Sequence, residues 1–306
     1  MAGLKEIKSK IRSTARTRTV TKAMEAVSAA KMRKSQNRAF MGRAYARAAA
    51  AVLARVSGTR ELMSHPLAEV REVKKALYVV ITSDKGLAGA LNSGVLRAVA
   101  RDIAARHLDA KSVSIIAVGR KAQDYFSKRG YAIEAYHHNT DTVSTEVIDR
   151  VVDEAALRFT SGATDDVRIM YQNLVSTFEQ RPTLRTIFPL SLEELQKVVA
   201  DILPVRGALS AMPQSGARVA NYTVEPTEAD VLGALLPKLA GIFVYHALLE
   251  SQASEHSARM VAMKGASDKA GEMQHSLQLK FNKARQAAIT REVSEITGGM
   301  EAMATA

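Results

Sequence analysis

Cysteine is absent from the 306 residues, which removes disulfide scaffolds, thiolate nucleophiles, thiolate zinc sites and iron–sulfur clusters together. Tryptophan is absent too, and aromatic residues make up only 5%, so base stacking is no main activity. No uninterrupted apolar run approaches the ~18 residues of a membrane span, so no direct crossing of a bilayer is expected. Acidic residues are scarce at one end. Residues 1–60 hold 15 Lys or Arg against only Glu6 and Glu25, whereas the other 246 residues hold 28 basic against 29 acidic. The whole formal excess of +12 therefore sits in the N-terminal segment. A nucleic-acid-binding arm, an organellar transit peptide and a basic helix meeting an acidic protein surface all fit that charge. The helical composition runs well past the ~30 residues of a targeting segment. The first aromatic is Phe40, so nucleic-acid contact would be to phosphate alone.

Proline is missing from both ends. The seven lie at 66, 182, 189, 204, 213, 226 and 237, leaving 1–65 and 238–306 free of the strongest helix breaker. From Gly3 to Arg55 good helix formers dominate, with eight alanines between Ala39 and Ala54. Leu4, Ile7, Ile11, Val20, Met24 and Val27 approximate an apolar stripe that the polar run Ser13–Thr19 interrupts. Alternate steps of 3 and 4 from Leu232 to Ala288 land on 17 positions, of which 13 are apolar, the pattern of a coiled-coil seam. His246 and His256 fall on that seam, where they read as register-fixing polar positions. Pro237 should start or kink the helix, and Gly298-Gly299 should end it. From Lys238 to Gly298 such a helix would span about 90 Å, against a diameter of about 50 Å for a compact globule of this chain. An antiparallel pair with the N-terminal helix is the expected solution.

The middle alternates. Ala76–Thr82 and Ser112–Val118 read as buried strands, Val167–Met170 and Thr183–Phe188 as further strands. Leu91–Arg106, Lys121–Lys128 and Val143–Phe159 read as helices. The fold class is therefore α/β plus a long α-helical antiparallel coiled coil: a Rossmann-like domain of mainly parallel sheet inserted between N- and C-terminal helices. The expected divisions are 1–60, 70–205, a connecting loop at 206–226, 227–300, and a tail at 301–306.

Catalytic signals are weak. Ser83–Gly89 follows a strand and precedes a helix, where a phosphate loop would lie, but it lacks the glycine density of either nucleotide fingerprint. His137, His138 and Asp141 lack a third ligand at metal spacing. No catalytic residue, cofactor or metal is assigned. A nucleotide-binding Rossmann-like enzyme and a basic coiled coil on nucleic acid stay as alternatives.

Five blocks carry a resemblance: TKAMEAVSAAKMRKSQ at 21–36, SDKGLAGALN at 83–92, YTVEP at 222–226, SARMVAM at 257–263 and FNKARQAAITREVSEI at 281–296. In that order they resemble the gamma subunit of F-type ATP synthases. Ala88 and Met300 depart from it, standing where the family often has cysteine and alanine. The resemblance implies a non-catalytic central-stalk rotor subunit, one copy per complex. Its coiled coil would lodge in a threefold ring of alpha and beta subunits, and its base would meet the epsilon subunit and the membrane c ring, with no nucleic acid bound. It implies a grip on the beta subunit by Arg285, Gln286 and Thr290, shared by Lys22, Met24, Lys31 and Arg33. Tyr222, Glu225 and Pro226 would shape the base. The implied location is peripheral, on the cytoplasmic face of a bacterial inner membrane. With no presequence before the helix, a bacterial origin is favoured over a mature organellar one.

Overall fold

The computed structural model describes residues 2–56, 64–191 and 227–304. Tyr222, Glu225, Pro226 and the expected connecting loop lie outside the described residues. The elements are α1 (Ala2–Val56), a 3₁₀ turn (Pro66–Ala68), β1 (Ala76–Ile81), α2 (Leu91–Ala105), β2 (Val113–Val118), α3 (Arg120–Ser127), β3 (Ala132–His137), α4 (Thr145–Thr160), β4 (Asp166–Leu174), β5 (Gln180–Phe188) and α5 (Glu228–Ala304). They form two compact units, one of residues 30–258 and one of 1–29 with 259–306.

In the larger unit the strands make one sheet in the order β3-β2-β1-β4-β5. β1 pairs in parallel with both β2 and β4, β2 with β3, and only β4–β5 is antiparallel. β1 is apolar throughout, and β2 apolar but for Ser114, because helices cover both faces. Leu77, Val79 and Ile81 of β1 pack with α4 and with Leu232–Leu248 of α5 on one side. The alternate residues Ala76, Tyr78 and Val80 pack with α2 and α3 on the other. The period of two along β1 thus assigns each residue to a layer. β3 was not expected from sequence. It is an edge strand, none of its residues is buried, and AIEAYH mixes polar with apolar residues.

The C-terminal helix runs past its expected end. It starts at Glu228, carries Pro237 inside, and continues through Gly298 and Gly299 to Ala304. An interior proline costs about 3 kcal/mol. Buried Leu232, Leu236, Leu239 and Ala240 on the flanking turns outweigh it. Within Asp230–Met300 an 18-residue window reaches a mean hydropathy of 1.6, long and apolar enough to cross a membrane, with 44% of it buried in the protein.

In the smaller unit α1 and α5 pair antiparallel. The Thr14 hydroxyl donates to Met273 Sδ at 3.9 Å, and four residues further along α1 the Arg18 guanidinium lies 3.4 Å from where a Cβ on Gly271 would stand. The seam on α5 runs as expected: Met263, Ser267 and Ala270 are buried, and Met260, Gln274, Leu277, Phe281, Ala284 and Ala288 are half-buried. The seam on α1 does not. Val20 and Val27 are exposed while Thr21 and Ser28 are buried, so the stripe continues through small hydroxyl residues, Thr14 among them, rather than breaking. Thr21 can sit there because its hydroxyl donates back to the carbonyls of Thr17 and Arg18, both at 3.0 Å.

Candidate functional site

Two regions could carry a function: the carboxyl end of the parallel sheet and the exposed faces of the long helices. In open α/β sheets the first is where ligands bind. Here the chain fills it with its own groups. The N–H of Arg120 donates to the Asp84 carboxylate at 2.8 Å, that of Lys121 to the Ser83 carbonyl at 3.3 Å, and that of Ala122 to the Thr82 hydroxyl at 2.9 Å. The first turn of α3, the donor set a phosphate would need, is thereby occupied. Ser83 and Asn92 close the preceding turn, Ser83 N–H donating to Asn92 Oδ1 at 2.9 Å and Asn92 Nδ2 to Ser83 Oγ at 2.7 Å. Gly119, at φ 101°, completes the closure, since a Cβ there would lie 2.1 Å from the Thr82 carbonyl. This block is a structural strand-to-helix junction, which is the geometric reason the nucleotide reading fails.

The histidines beside it are also committed. His138 Nδ1 lies 2.9 Å from Tyr136 Oη and 3.3 Å from Asp84. Burial, with Arg150 nearby, pushes the pKa of His137 below the usual histidine value. Asp141 takes Lys31 Nζ at 2.6 Å and lies 3.6 Å from His256 Nε2, and its main-chain carbonyl accepts from Arg38 at 3.2 Å. The Lys31 hydrogen bond holds the Asp141 carboxyl below the ordinary aspartate range.

The seven expected grip residues separate on this geometry. Arg285, Gln286 and Thr290 are all exposed on α5. At 100° per residue, Gln286 and Thr290 lie on the side away from the seam residues Phe281, Ala284 and Ala288, and Arg285 flanks them. Coverage of α5 ends at Ala288, and 289–300 are exposed throughout. The antiparallel pairing explains this: with Thr14 beside Met273, the start of α1 reaches only to about residue 285. Beyond it Ile289, Val293, Ile296 and Met300 recur at steps of 4, 3 and 4 as an uncovered apolar stripe, 52–67% exposed. Lys22 and Arg33 are exposed and Met24 is half-buried. Lys31 is engaged by Asp141 of its own chain rather than held out for a partner.

Sequence reading missed a second cluster. Residues 251–257 of α5 (SQASEHS) are buried without a break although six of the seven are polar. Ser254 Oγ donates to the Gln172 carbonyl at 3.0 Å, Ser257 Oγ to the Thr177 carbonyl at 2.7 Å, and Gln252 Nε2 to the Thr140 carbonyl at 2.7 Å. Glu250 Oε2 accepts from the Leu174 N–H at 3.2 Å. The available signal was a polar run crossing an otherwise apolar seam, which requires buried partners.

Residues 3–303 match the family described as ATP synthase. The ATP synthase gamma chain of Staphylococcus epidermidis, in two strains, is 35% identical over 304 residues, covering 99% of this chain and 100% of that one. Among solved structures, a chain of the Euglena gracilis mitochondrial ATP synthase OSCP/F1/c-ring superposes with a TM-score of 0.67 at 19% identity, over 99% of this chain and 95% of that one. A chain of the Tetrahymena thermophila mitochondrial ATP synthase central stalk/c-ring gives 0.57 at 23% identity, over 81% and 99%. These structural likenesses bear on the fold. The sequence match bears on descent: this chain belongs to the ATP synthase gamma-chain family and is a non-catalytic subunit of that complex.

Proposed function

We propose that the chain is the central rotor shaft of an F-type ATP synthase, coupling ion-driven turning of a membrane c ring to ATP synthesis or hydrolysis at beta subunits. The observation that carries this is the bare end of α5, where the exposed apolar stripe from Ile289 to Met300 runs beside Gln286 and Thr290 with nothing of its own chain over it among the described residues. Such a face fits burial in a ring of partner subunits. Alpha and beta subunits would form that ring, one shaft per complex, with the epsilon subunit and c ring at the base. The complex would stand at the cytoplasmic face of a bacterial inner membrane.

One asymmetric shaft cannot present the same face to three equivalent subunits, so each orientation favours a different set of open and closed catalytic conformations. The coupling is reciprocal. Turning the shaft biases nucleotide affinity, and nucleotide turnover biases the shaft. Arg285, Gln286 and Thr290 would grip a beta subunit, with Lys22, Met24 and Arg33 contributing along α1. Lys31 would act through Asp141 instead.

The test is reconstitution with alpha and beta subunits. Addition of this chain should raise the ATPase of the assembly, and an ATPase indifferent to it would refute the reading. Arg285→Ala with Gln286→Ala should lower ATP synthesis by about tenfold, the worth of one charge-assisted hydrogen bond, with the chain still incorporated.

A further inference from the structure

A shaft that delivers torque must not turn inside the body that drives it. Apolar packing resists this through the fit of interlocked side chains, without directional bonds. Directional bonds on opposite sides of a helix resist it well. The polar run of α5 has that arrangement, entirely within the unit 30–258. At 100° per residue, Glu250, Ser254 and Ser257 fall within an arc of about 60°, and all three bond the main chain of β4 and the β4–β5 turn. Gln252 lies about 190° from the middle of that arc and bonds the Thr140 carbonyl in the β3–α4 loop. That loop is itself fastened. Asn139 Nδ2 donates to the Thr82 carbonyl at 2.8 Å, and Asp141 is held from α1 by Lys31 and Arg38 and lies beside His256 of α5. Of these main-chain partners, Gln172 and Leu174 lie in β4 itself, and Thr177 and Thr140 lie three residues past the ends of β4 and β3.

We propose that this collar of Glu250, Gln252, Ser254 and Ser257, with the loop that Lys31 and Asp141 brace, is the rotational lock fixing α5 to the sheet. The inference rests on the rotor reading and adds the residues through which the α/β body turns the helix. These are positioning residues, acting on coupling through the sheet main chain.

The test uses the full chain assembled with alpha, beta and epsilon subunits and a c ring in sealed vesicles, with ions pumped per ATP hydrolysed as the readout. If the unaltered chain does not assemble or support pumping, the rotor reading fails, separately from this inference. Gln252→Leu opens one side of the collar, and Ser254→Ala with Ser257→Ala removes two of the three bonds on the other. Each set alone should lower the ratio by about twofold or less, and the triple variant by about tenfold, since bonds on opposed faces back each other. ATP hydrolysis should continue in the triple variant. Loss of stability alone would reduce assembled complex and leave the ratio untouched. A triple variant that assembles and pumps as well per ATP as the unaltered chain overturns the lock. Should the triple variant not fold, Lys31→Asp and Asp141→Lys decide: each single change should lower the ratio about twofold and the pair should restore it. Singles without effect, or a pair that restores nothing, overturn it equally.

Discussion

α5 is one helix held in two ways. From Leu239 to Ser257 none of its residues is exposed, with apolar residues packed on the sheet and α4 and then polar residues bonded to main chain on two sides. From Arg259 onward it touches a partner helix along one stripe only, and past Ala288 residues 289–300 are exposed, with no partner among the described residues. The contrast teaches that this helix owes its order to different terms along its length. The first part is ordered by tertiary burial, the second by a narrow seam, and the end by helix propensity until something else covers it.

The largest effect expected from breaking the contrast is in the core. Phe243, 3% exposed, packs in the cluster beneath the sheet, and Phe243→Ala should cost about 3–5 kcal/mol. Val293→Ala, on the bare end, should change stability by no more than about 0.5 kcal/mol. Chemical denaturation of the two variants checks this, and equal losses would deny that the two parts differ. A middle effect separates two glycines on the same helix. Gly271→Leu would set its Cβ 3.4 Å from the Arg18 guanidinium and put a larger side chain beside the seam, and should destabilise it by about 1–3 kcal/mol. Gly298→Ala meets nothing within 4 Å and should stabilise the helix by up to about 1 kcal/mol. Helical ellipticity followed through thermal melting reads both signs.

The smallest effect concerns pH. Lys31 lowers the pKa of Asp141, so the carboxylate is favoured in the folded state. Its contribution is therefore present above the usual aspartate range and fades as pH falls through the lowered folded value. Asp141→Asn should melt slightly below the unaltered chain at neutral pH, and the gap should close in acid. Both groups are partly exposed, so added salt should shrink the gap as well.

Legibility followed burial. β1 and β2 stood out because coverage on both faces makes every position but Ser114 apolar, whereas β3, half-exposed at the sheet edge, carries no such run. The α5 seam was readable down to Ala288 because its core positions are mostly apolar, but the α1 seam misled. Apolar Val20 and Val27 suggested a face that the structure leaves in solvent, while Thr21 and Ser28 line the contact. Helices in close approach favour small residues, and a hydroxyl that bonds its own helix can be buried there. Of the grip residues, sequence resemblance singled out Arg285, Gln286 and Thr290, and their exposure suits partner contact. It also singled out Lys31, whose bond to Asp141 spans 110 positions of the chain and follows no local pattern.

Local rules operating within a few residues of chain determined the helices, the buried strands, the N-terminal charge and the family blocks: periodicity, proline placement and composition are all written along the backbone. Tertiary structure alone decided which face of α1 is inside, where the seam runs out, that the first turn of α3 is already capped, and that a polar run in α5 is fastened from two sides. Each of those depends on what lies opposite in space, and contacts between distant segments leave no period in a single sequence.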